Sequence, residues 1–237
     1  MAIAPLEYRI SAFNSVMDHI GKDAPSNVHI QKMKTTLAPL GSGVAALVRM
    51  HATVDPTQTK AAHDKKVIVT ASKLNDRYKQ TLKDVQVVLR DGLRDIQSRI
   101  DAKVSLKPDA FAQELRAAFR SMSHTERVTA LVEMTKTNNG PALAAITEAP
   151  AMLSGVTEGQ QKQYRDAIVQ MHAPTECVEE AELLEAFNGT LAAMDVATAL
   201  AKDLNNPGRL AEIDRGVNAA MAAEIAFDVP ASGGAGA

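Results

Sequence analysis

The chain reads as all-α: an elongated helical bundle with one very long helix over about 56–106, several short helices and a C-terminal helical hairpin. Three observations predict this. Apolar residues recur along one stripe at Val67, Ala71, Leu74, Tyr78, Leu82, Val85, Leu89, Leu93, Ile96, Ile100 and Val104, with spacings of 4, 3, 4, 4, 3, 4, 4, 3, 4 and 4. Such an eleven-residue repeat averages about 3.67 residues per turn and keeps a stripe nearly straight, or winds it slightly right-handed. Hydrophobic residues make up 46% of the chain but aromatics only 3%, with no Trp, so alanine and the long helix formers do the apolar work. Alternation at period two, the mark of a half-buried strand, is nowhere sustained.

The first helix is expected from Pro5, a favoured first-turn residue, with Leu6, Ile10, Phe13, Met17 and Ile20 on one face and Gly21 as its stop. A second runs from near Ser26 to about Ala38. Pro39 and Gly41-Ser42-Gly43 then break the chain before a short apolar segment over 44–54. Asp55-Pro56 supplies a cap and a first-turn proline for the long helix. That helix would span about 75 Å at 1.5 Å per residue. A stripe of that length cannot be buried by its own helix and needs partners from this chain or from copies of it. The residues expected to form an interaction seam are Val67, Leu74, Tyr78, Leu82, Val85, Leu89, Leu93, Ile96 and Ile100.

Short helices follow. Asp109–Met122 is expected to bury Phe111, Leu115 and Phe119; Ser123 and Glu126 form a capping box for the next helix, which ends at Asn138-Asn139-Gly140. Further helices are expected over 141–149 and 157–171, the latter with Tyr164, Ile168 and Met171 as its apolar residues. A second long helix spans 175–204, and after the Asn205-Asn206-Pro207-Gly208 turn a last helix over 209–227 presents Leu210, Ile213, Val217, Met221 and Ile225. The chain thus divides into N-terminal short helices (1–55), the long helix (56–107), a short-helix region (108–173), a C-terminal hairpin (174–228) and a low-complexity tail (229–237) expected to be flexible.

The net charge of -2 gives no whole-chain case for nucleic acid, but the charge is uneven. From Thr57 to Leu106, 11 Lys/Arg against 6 Asp leave +5; from Pro174 onward, 11 acidic residues against Lys202, Arg209 and Arg215 leave -8. The two stretches are expected to attract each other, within a chain or between neighbours, and charge-assisted assembly should slow as salt rises. The basic helix also admits non-specific contact with a phosphate backbone, although it lacks interleaved aromatics apart from Tyr78. Cys177 is the single cysteine, so no internal disulfide forms, and the N-terminus lacks a secretory pattern; a cytoplasmic site of synthesis follows. No apolar run is long enough for a membrane span.

No residue pattern calls for catalysis, a cofactor or a metal. The six histidines have no metal-ligand spacing to Cys or carboxylate, and His63 beside Asp64 reads as a surface residue. Gly41-Ser42-Gly43 lacks the Lys-Ser/Thr of a phosphate loop. Cys177 sits between Glu176 and Glu179, a setting that raises a thiol pKa and opposes nucleophilicity. The acidic run Glu176, Glu179, Glu180, Glu182 and Glu185 lacks the Glu-x-x-His motifs of a di-metal bundle and lies in a helix's first turns, where the macrodipole favours negative charge.

The stretch from Ser123 to Cys177, with its Asn138-Asn139-Gly140 turn, the run Leu143-Ala144-Ala145-Ile146 and the segment Pro150-Ala151-Met152-Leu153-Ser154-Gly155, resembles small helical proteins of tailed-bacteriophage structural gene modules. The resemblance covers about a quarter of the chain and is one of packing. It implies a non-enzymatic structural or assembly component of a particle, made in the host cytoplasm and located in the virion, homo-oligomeric and in contact with other virion proteins. The other reading of the same features is a cytosolic helical adaptor that binds a protein partner.

Overall fold

The computed structural model describes residues 4–22 and 24–228. The tail expected over 229–237 lies outside them. Among the described residues there are ten helices and no strand: α1 (Ala4–His19), α2 (Val28–Ala52), α3 (Lys60–Val104), α4 (Ala112–Ser121), α5 (His124–Lys136), α6 (Gly140–Thr147), α7 (Ala151–Ser154), α8 (Glu158–His172), α9 (Pro174–Leu204) and α10 (Pro207–Asp228). The all-α class follows the composition and the periodicity. The helices gather into two compact units, each drawn from several segments of chain.

The first unit comprises Met1–Lys22, Gln31–Gln86 and Phe187–Ala237. Its core is built by large side chains entering glycine gaps. Phe13 of α1 lies against Gly41 of α2, and a Cβ added at Gly41 would meet the Phe13 ring at 2.5 Å. Leu74 of α3 fills the space at Gly43, and Ile20 lies against Gly189 of α9. The Gly41-Ser42-Gly43 segment is therefore a pair of packing notches inside a helix. This overturns the expected break: α2 runs unbroken through Pro39. An interior proline costs about 3 kcal/mol. Here its ring is exposed, while Met33, Leu37, Leu40, Val44 and Leu47 form an inward row no more than 1% exposed. Burial of that row outweighs the local penalty.

The start of α3 also differs from expectation. Asp55 does not cap it; its Oδ1 accepts from the backbone and hydroxyl of Thr57, closing a separate turn. The cap is Thr59, whose hydroxyl accepts from the Ala62 N–H at 3.2 Å. Any of several polar residues before Lys60 can cap, and local sequence does not rank them.

The second unit comprises Asp23–Ile30 and Val87–Ala186. α4, α5, α6 and α8 pack around Leu131, Leu143, Ala144, Ala145, Ile146 and Ile168, each at most 1% exposed. Both capping boxes in this unit form: Ser123 with Glu126 as expected, and Thr157 with Gln160, which has the same S/T-x-x-E/Q signature. Carbonyls near helix ends are satisfied by buried or half-buried side chains. Gln161 donates to Ala149 O at 2.8 Å and to Ser154 Oγ at 2.9 Å. Arg116 donates to Ala145 O at 3.1 Å, and Arg127 to Phe119 O at 3.1 Å. Phe111 corrects another expectation: it precedes α4 and is 68% exposed, whereas Phe119 is buried. Met171 at the end of α8 is exposed as well.

Candidate functional site

The stripe of α3 is the first candidate. The helix contributes Lys60–Gln86 to the first unit and Val87–Val104 to the second. Of the nine seam residues, Val67, Leu74, Val85, Ile96 and Ile100 are buried by the chain itself. Tyr78, Leu82, Leu89 and Leu93 are only half-buried. The deepest line between them passes through Thr81, Val88 and Gly92. From Val67 onward α3 buries positions 67, 68, 71, 74, 81 and 85 in the first unit and 88, 92, 96, 100 and 104 in the second. Sequence reading missed this line because it counted apolar side chains, and Thr81 and Gly92 are not apolar. Gly92 lies inward because Leu183 and His29 occupy the space that a side chain would take.

An ion cluster joins α3 and α9 within the second unit. Lys103 Nζ donates to Glu176 Oε2 at 2.7 Å, and Arg99 bonds Glu179 and lies 3.8 Å from Glu176. Glu176 is 3% exposed. The Lys103 hydrogen bond holds its carboxyl below the ordinary carboxylate value, against the opposing effect of burial. Bonding to Glu179 raises the pKa of Arg99. Glu176 does lie in the first turn of α9 as expected, but it serves an inter-helix pair rather than solubility. Next to it, Cys177 is half-buried; burial, then Glu180, Glu176 and Asp166, push its thiol up.

A cleft of about 580 Å³ opens in the first unit where the C-terminus of α2, the first turns of α3, the end of α9 and the start of α10 meet. Val54, Val67, Ile68 and Leu204 supply apolar walls, and His51, Lys60, His63, Asp64, Asp203, Asn206 and Arg209 the polar ones. His63 is not the surface residue that its basic neighbours suggested; it is 7% exposed. Its position four residues before Val67 and on the same face was the available signal.

The last feature is α10. Leu210 and Ile213 face inward, but Arg215 to Ile225 are exposed throughout. Val217, Met221 and Ile225, four residues apart on one face, are 46%, 58% and 67% exposed. No group of three His, Cys, Asp or Glu among the described residues is placed to hold a metal ion. No described helix is long and apolar enough to cross a membrane. No protein-family model matches the chain, and neither a curated protein nor a solved structure was found to be similar to it.

Proposed function

We propose that the protein is a non-enzymatic structural or assembly component that self-associates through helices, and that it serves in a tailed-phage particle. One observation carries the assembly reading: the last three turns of α10 display Val217, Met221 and Ile225 with nothing of the described chain covering them. A helix of this length gains little from propensity alone and owes its stability to packing. Residues 215–225 lack such packing among the described residues. A second copy of α10 would cover the row with the same apolar face, and a two-fold pair needs no other surface. The virion assignment rests on the resemblance over Ser123–Cys177, a stretch that contributes α5, α6, α7 and α8 to one packed unit.

Sedimentation equilibrium of the wild type and of Met221→Asp tests the assembly reading. The wild type should form a discrete oligomer with rising concentration, and the variant should remain monomeric with an unchanged circular dichroism melt. A wild-type monomer at high micromolar concentration would overturn self-association. The protein's presence at fixed copy number in purified particles, read by mass spectrometry, tests the virion assignment, and its absence there favours the adaptor.

A further inference from the structure

The geometry points to the cleft beside His63 as a binding site for a small amphipathic carboxylate, with its apolar body on Val67, Ile68 and Leu204 and its anionic head at Lys60 and His63. The volume lies within the about 300–1,000 Å³ typical of small-molecule sites.

The partners of the polar groups define the ligand. Both carboxylates at the cleft are already neutralised: Asp64 by Arg209 at 3.3 Å, and Asp203 by Arg9. Arg209 also reaches Glu212 at 3.3 Å, so its charge is engaged twice. The groups left over are donors. Lys60 has no ion pair among the described residues, and the ring of His63 makes no hydrogen bond among them although it is more than nine-tenths buried. His51 adds a second imidazole without a partner among those residues. The His63 ring opens onto the cleft, where a ligand acceptor would satisfy it. Lys60 and His63 stand three residues apart on one helix face, so one carboxylate can face both. The formal charges at the cleft balance, Lys60, Arg209 and Arg9 against Asp64, Asp203 and Glu212, but the Lys60 ammonium is left without a pair among the described residues, and apolar walls beside it fit a monoanion with a hydrocarbon body.

Octanoate is the probe, titrated by calorimetry and by the ring signals of the histidines in NMR spectra, with octan-1-ol as the uncharged control. The expected result is saturable one-to-one binding with Kd below about 1 mM, a shift of the His63 ring signals, and binding of octan-1-ol weaker by about tenfold or more. H63L and K60M should each weaken octanoate binding by about tenfold, and K60M, which removes only the exposed ammonium, should leave octan-1-ol binding unchanged. Lys60 is exposed, so K60M reads the head-group contact without disturbing the core even if H63L were to unfold. Absence of saturable binding, equal binding of octanoate and octan-1-ol, or K60M binding octanoate as the wild type does would each overturn the assignment.

Discussion

Lys103 Nζ lies 2.7 Å from Glu176 Oε2, tying the last turn of α3 to the first turn of α9. The pair is matched three ways. The charges are opposite, the lysine sits at the negative end of its helix dipole, and the glutamate sits at the positive end of its own. Arg99 and Glu179 extend it into a network, which retains more of its attraction than isolated exposed pairs do.

Acid should therefore weaken the protein through Glu176. Its folded pKa is depressed below the ordinary value of 4.5, so its contribution is fully present above that value and is lost as pH falls through the lower folded value. Thermal melts of the wild type should fall over this acidic window. Glu176→Gln should be less stable at neutral pH, and its melting temperature should depend less steeply on pH below 4.5. Parallel curves for the two proteins would show that the pair contributes nothing.

Gly140 and Gly216 should respond oppositely to alanine. A Cβ at Gly140 would lie 1.6 Å from the Val104 carbonyl oxygen, where backbone and not a flexible side chain must move. Gly140→Ala should cost at least about 2 kcal/mol in urea unfolding. Gly216 is exposed within α10 and has nothing within 4 Å of an added Cβ. There alanine should stabilise by about 0.5–1 kcal/mol through helix propensity.

Val88 should be more sensitive to charge than its neighbour Leu89. Val88 is 4% exposed and Leu89 only half-buried. Val88→Asp should cost upwards of about 3 kcal/mol, because an unpaired carboxylate enters the packed line; Leu89→Asp should cost about half as much, since its carboxylate can reach water. Urea titration of the two variants would check the order. Equal losses would return the seam to the phase that its leucines alone suggest.

The same pair shows how far the fold was legible. Helix class, the extent of α3 to within a few residues, and the Ser123 capping box were readable because periodicity and caps are local signals. The phase of the buried line was not, because Thr81 and Gly92 are inward only through what packs on them. Nor was the continuity of α2, since Gly41 and Gly43 carry opposite meanings in a loop and beneath Phe13 and Leu74. The cleft was least legible of all. It joins His51, His63 and Arg209 from three helices, and no sequence spacing links them.

Salt should act on this protein differently from what charge asymmetry alone implies. The basic stretch and the acidic C-terminal third meet inside the chain: Lys65 pairs with Asp214 at 2.7 Å in the first unit, and Lys103 and Arg99 pair with Glu176 and Glu179 in the second. Charge used in this way is no longer free to steer two copies together. The association surface proposed above is the exposed Val217, Met221 and Ile225 row, and apolar burial is not screened by ions. From about 0.1 M to about 1 M salt the Debye length falls from about 10 Å to about 3 Å. Over that range the melting temperature should drop modestly as the part-exposed pairs weaken, while the oligomer's dissociation constant stays level or tightens. Met221→Asp should abolish association at every salt concentration. Sedimentation velocity across the same salt series is the check, and an oligomer that dissolves as salt rises would place the association on charge and away from α10.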